Sequence, residues 1–194
     1  SNFSWPCIYC VDQGSKGFNQ EIHAGIAGGA DIILIPEIPY DIKKVCAAID
    51  KRNKEGKRFT ILAVAEGAIS REDAELPKKK YKEKLEERAK KYPSVSYEIA
   101  DQIQQVTGSE VRITVPGHMQ RGGEPCAYDR VLSTRIGAGA AQAIMDEEYG
   151  VMIGVITGKI KRVPLAECAG KLKMVSPKDQ LVLAAKQIGI SFGD

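Results

Sequence analysis

Arg112-Ile-Thr-Val-Pro-Gly-His-Met-Gln-Arg-Gly-Gly-Glu-Pro-Cys-Ala-Tyr-Asp-Arg130 is the stretch on which the reading of the fold turns. Val111, Ile113 and Val115 alternate with Arg112 and Thr114, a period of two that predicts a strand. Pro116 and Gly117 stop it. His118, Gln120 and Arg121 follow in a short loop closed by Gly122 and Gly123. Pro125 then leads into a helix whose spacing begins with Val131, Leu132 and Arg135. Strand, glycine loop and helix form the repeating unit of a parallel α/β sheet. The loop falls at the carboxyl end of its strand, where open α/β sheets bind ligands. The reading gathers Arg112, His118 and Arg121 there.

Those side chains suit an anion. Arg presents a fixed fork of donors that matches phosphate oxygens, and His adds a donor or a pH-sensitive charge. Glycine lets the backbone approach a ligand closely. One Arg in such a place is more often solvated or salt-bridged. Three basic side chains around a single strand-end loop favour a phosphate site.

The α/β rhythm extends on both sides. Ile22, Ala24, Ile26 and Ala27 predict a short helix ended by Gly28-Gly29. Residues 31–35 are apolar after Asp31, as in a buried parallel strand. Ile42, Val45, Cys46 and Ile49 mark a helix ended by Gly56, and residues 59–65 a second strand. Tyr97, Ile99, Ile103 and Val106 predict a helix ended by Gly108. Past the loop come an Ala-rich helix to Met145, an apolar strand over 150–156 and an alternating partner over 159–163. Gly137 and Gly139 weaken that helix but permit close packing. Ser176-Pro177 reads as the cap of a last helix carrying Leu181, Leu183, Ala184 and Ile188.

With 194 residues the chain can bury a sizeable core, and a net charge of +3 argues against nucleic acid or membrane partners. Residues 70–91 are charge-dense, but Glu83, Glu86 and Glu87 interleave with the lysines, predicting an exposed helix with i,i+4 pairs between Pro77 and Pro93. The sequence has no apolar run of about 20 residues and no signal-peptide pattern. Five scattered cysteines suit free thiols, which points to the cytoplasm. Cys7 and Cys10 have C-x-x-C spacing, but with only His23 and His118 as histidines no metal site is completed, so no metal ligand is assigned. Residues 1–19 show no clear period and read as an atypical leader, and residues 20–194 as one α/β domain.

The central stretch resembles the signature of the phosphofructokinases: a basic residue, Gly-His, Gln-Arg-Gly-Gly and Asp-Arg at fixed spacing. Here these are Arg112, Gly117-His118, Gln120 to Gly123 and Asp129-Arg130, without departure. The similarity runs from about Ala24 to the last residue, across the half of a catalytic unit that supplies most of the sugar-phosphate site. The resemblance implies a three-layer α/β sandwich with a mainly parallel sheet. It implies glycolytic phosphoryl transfer to the 1-hydroxyl of fructose 6-phosphate, with His118 and Arg121 on the 6-phosphate and Glu66 on the sugar hydroxyls. Arg112 would reach the phosphate bound by a neighbouring copy in a homo-oligomeric dimer or tetramer. Lys57 and Asp31 match positions of an allosteric effector site. By residue type alone, Glu66 is more often a helix cap and Lys57 a solvated lysine.

The resemblance also says what is missing. The glycine-rich donor loop, the Thr-Ile-Asp base motif and a Met-Gly-Arg motif due within residues 1–19 are not found. No catalytic residue is therefore assigned. ATP or pyrophosphate with Mg2+ is expected to bind the absent half, and this half alone to bind neither and to turn nothing over. A non-catalytic sugar-phosphate-binding or regulatory half of a duplicated enzyme is the alternative; the intact motif favours the catalytic subunit. Residues 65–68 and 116–120 resemble the longer, mixed ATP/pyrophosphate branch.

Overall fold

A computed structural model gives the fold and describes residues 5–11, 20–117, 119, 122–171 and 174–194, with 5–11 and 20 as backbone alone. The chain divides into two compact units, Ser1–Met119 with Lys173–Asp194, and Gln120–Leu172. The first contains β1 (Trp5–Val11), α1 (Gln20–Ala27), β2 (Ile32–Leu34), α2 (Ile42–Lys54) and β3 (Phe59–Ala65). It continues with α3 (Arg71–Ala74), α4 (Lys78–Lys91), α5 (Val95–Thr107) and β4 (Arg112–Thr114). The second holds α6 (Ala127–Met145), β5 (Val151–Ile156), β6 (Lys159–Pro164) and α7 (Leu165–Cys168). Helix α8 (Gln180–Gln187) returns to the first unit.

The first unit is built on a parallel sheet in the order β2-β3-β1-β4. Successive side chains of a strand point to opposite faces, and both faces here are covered. Ile32, Leu34, Leu62 and Val64 pack with Val45 and Ile49 of α2 and Ile99 and Ile103 of α5. Ile33, Ile35, Ala63 and Ala65 pack with Ile22 of α1 and Val182 and Ala185 of α8. The result is a three-layer α/β sandwich, as the sequence reading expects. Gly25 of α1 lets that helix lie close to the sheet, since a Cβ there would come within 2.6 Å of Ile33. The outer edge of β2 is covered by the chain end, with Ile33 N donating to Ser191 O at 2.8 Å.

Several elements differ from the expectation. Residues 5–11, read as part of an atypical leader with no clear period, form the inner strand β1, paired with β3 from Trp5–Phe59 to Val11–Ala65. A strand flanked on both sides reads as a continuous apolar run, so it has no period to find. Pro6 is tolerated because pairing with β4 begins only at Cys7. The buried face of α5 is Val95, Ser96, Ile99, Ala100 and Ile103, while Tyr97 and Val106 face out. Helix α8 starts later than predicted: Asp179 caps it by accepting from Leu181 N at 2.8 Å, and Ser176 instead holds a turn to Lys178 N. Its buried residues are Val182 and Ala185, with Leu183 and Ile188 exposed.

The second unit lays α6 on an antiparallel β5–β6 hairpin. A Cβ at Gly139 would meet Ile160 at 2.9 Å and Ile153 at 3.1 Å, so this glycine sets the close approach; Gly137 has open space around it. Arg162 of β6 pairs with Asp146 and Glu148, each at 2.6 Å.

Candidate functional site

Glu66 begins the turn that follows β3, at the carboxyl end of the sheet, and is exposed. The neighbouring turn after β2 lies alongside, since a Cβ on Gly67 would stand 3.6 Å from Pro36. Glu37 of that turn accepts a bond from Val175 N at 3.3 Å. Glu21 of α1 is 5 % exposed, an acid that the sequence reading passed over. Burial pushes its pKa up, its own backbone hydrogen bond pulls it down, and the Glu37 charge pushes it up again. Its signal was a carboxylate beside Ile22 on the face that α1 turns to the sheet.

Arg112, read onto the carboxyl end of its strand, stands instead at the start of β4. It is paired with Cys7 of β1, which pairs with Ile61 of β3. Arg112 is thus level with the start of β3, five residues before Glu66, or about 16 Å along the strands. The alternation that identifies the strand says nothing of its offset. The guanidinium reaches Glu110 at 3.6 Å, and both side chains are largely exposed. His118 and Arg121 lie outside the described residues. Beside them in the chain, Gly117 takes φ 50°, and Met119 N donates to Pro116 O at 3.0 Å. In the second unit, Gly123 takes φ 90°, a left-handed conformation natural to glycine. The signature's last residues tie the start of α6: Asp129 accepts from Cys126 N at 3.0 Å, and Arg130 donates to Pro125 O at 3.2 Å. Hydrogen bonds from the Cys126 thiol and then from its backbone N–H hold the Asp129 carboxyl below its ordinary pKa.

Asp31 and Lys57 sit at the opposite, amino end of the sheet, before β2 and β3. Lys57 is exposed. Asp31 is engaged internally, pairing with Arg52 of α2 at 2.9 Å and accepting from Ile61 N at 2.8 Å. Arg52 also donates to Thr60 and Phe59, so the pair fastens α2 to the start of β3. Among the described residues, no three His, Cys, Asp or Glu side chains are grouped to hold a metal.

The fold is a parallel α/β sandwich, and the sequence carries a basic, glycine-rich run after β4. The family described as Phosphofructokinase matches residues 14–144, and the chain belongs to that family. An ATP-dependent 6-phosphofructokinase of Spirochaeta thermophila is 45% identical over 173 residues, 89% of this chain and 47% of the relative. The chain thus spans about half the length of the curated relatives it matches. A solved Pichia pastoris phosphofructokinase in the T-state is similar at TM-score 0.64 and 31% identity, over 85% of this chain and 16% of that one. A pyrophosphate-dependent phosphofructokinase from Nitrosospira multiformis shares the fold at TM-score 0.68 and 18% identity, over 98% of this chain and 49% of that one.

Proposed function

We propose that this chain is the sugar-phosphate half of a cytoplasmic 6-phosphofructokinase, which moves a phosphoryl group from ATP or pyrophosphate to the 1-hydroxyl of fructose 6-phosphate. The observation that carries it is the unbroken run from Arg112 to Arg130 in a chain of this family, set between β4 and α6. His118 and Arg121 clamp the 6-phosphate through charge-assisted bonds. Glu66 accepts from the sugar hydroxyls, as a carboxylate suits. Holding the acceptor in line is itself catalytic, since phosphoryl transfer depends on positioning and charge.

The displacement of Arg112 from the end that carries Glu66 supports its service to a neighbouring copy in a homo-oligomer. We assign the donor and Mg2+ to the remaining half, and the residues named here act on the acceptor alone. Lys57 and Asp31 take the effector role, and an effector there would compete with Arg52 for Asp31.

A calorimetric titration with fructose 6-phosphate tests the reading, on this chain and on the chain joined to its remaining half. Saturable binding weakened at least about tenfold by Arg121→Ala is expected, the loss of one charged contact. Binding indifferent to that substitution, or none by the joined protein, would overturn it.

A further inference from the structure

Helix α4 is fastened mainly by charge. None of its residues is buried, and Leu85 is 38 % exposed. Its inward, half-buried side chains are Tyr81, Lys84 and Arg88, and the two cations both grip Asp73 of α3. The Asp73 side chain is 1 % exposed. Arg88 Nη2 lies 2.6 Å from Asp73 Oδ2, Lys84 Nζ takes Oδ1, and Arg88 Nε also pairs with Glu98 of α5. Beyond the end of α4, the Tyr92 hydroxyl donates to Asp101 at 2.5 Å. Two clefts, of about 320 and 370 Å³, flank this row, and both are walled by Lys84, Arg88, Glu98 and Gln102. The helix therefore rests on a line of ion pairs between two openings.

We propose that α3 and α4 form a strap that swings off α5 as one unit while the sandwich beneath stays folded, with Asp73, Lys84, Arg88 and Glu98 as its latch. Opening merges the two clefts into one groove along α5. The latch is two-state because Asp73 is buried: losing its cations would strand its charge, so it must turn out to water with the strap. Released, α4 has little to keep it helical. A 14-residue helix is marginal alone. Lys78, Lys79 and Lys80 also oppose the dipole in its first turn, and Pro77 gives no side-chain cap.

Ionic strength separates this device from ordinary fraying. Salt reaches the latch through its Lys84 arm, whose side chain is 44 % exposed, and weakens that pair first. The same salt relieves the repulsion among the first-turn lysines, which would steady a helix standing free. Amide hydrogen exchange is followed at neutral pH from about 0.05 M to about 1 M NaCl, where the screening length falls to ~3 Å. The expected result is exchange over α4 faster by about tenfold and uniform along it, with α2 and α5 unchanged. Asp73→Asn should bring the fast rate at low salt and abolish the salt response. Exchange over α4 that ignores salt, or that accelerates together with α5, would overturn the proposal. Should Asp73→Asn fold poorly, the salt series on the unaltered protein decides.

Discussion

Helices α4 and α5 follow one another in the chain, have 14 and 13 residues, and are held in opposite ways. Helix α5 sets Val95, Ile99, Ala100 and Ile103 into the core shared with α2 and the sheet. Helix α4 has no fully buried residue and hangs mainly on Asp73 and Glu98. Apolar burial is indifferent to salt and to carboxylate protonation, so α5 should persist wherever the sandwich does. Charge pairs answer to both. A neighbouring pair of helices thus joins a permanent layer to an adjustable one, and the difference lies in which side chains face inward.

The contrast is sharpest if α5 is attacked first. Ile103 is wholly buried, and Ile103→Ala should cost about 2–5 kcal/mol in denaturant unfolding, the lost transfer energy plus a cavity. A cost under ~1 kcal/mol would mean that α5 is no better anchored than its neighbour.

Acid gives the next effect. Asp73 faces Lys84 and Arg88 of α4, Tyr40 before α2 and Glu98 of α5. Burial works to raise its pKa, but the bonds and charges of Lys84 and Arg88 outweigh it, leaving Asp73 below its ordinary value. A carboxyl lowered in the folded state stabilises fully above its unfolded pKa of about 3.9, and that contribution fades as pH falls through the folded value. Exchange over α4, corrected for its intrinsic pH dependence, should therefore rise below about pH 4 before α5 responds. Simultaneous loss of the two helices would erase the distinction. The smallest effect belongs to Leu85→Ala, which should change stability by less than about 0.5 kcal/mol, as for a surface site. A larger loss would reveal an apolar anchor in α4.

The candidate residues were legible early, because a signature is a matter of residue types at fixed spacing. Arg112, His118, Arg121 and Glu66 could be named without a fold. Their placement could not. Arg112 was read onto the carboxyl end of its strand, and the strand offsets set it about 16 Å short of Glu66 along the sheet. Asp31 was read for its charge, yet it is spent on Arg52 and Ile61 N, partners 21 and 30 positions away along the chain. The α4 helix was read correctly as exposed, but its bonds go to α3 and α5 and not to its own i,i+4 neighbours.

Taken alone, the sequence determined the parallel α/β class, strand β3 over residues 59–65, the buried stripe Val45, Cys46 and Ile49 of α2, and the existence of strand β4 and helix α6. Each is a local periodicity or turn preference, written within a dozen residues and readable there. Only the tertiary structure decided that residues 5–11 fill the gap between β3 and β4, that α5 turns Ser96 and Ala100 inward in place of Tyr97, and that Asp73 closes on Arg88. Those outcomes rest on strand offset and on pairings between distant parts of the chain. Such pairings are settled by what the packed sheet leaves exposed or unpaired, and they leave no period in the sequence.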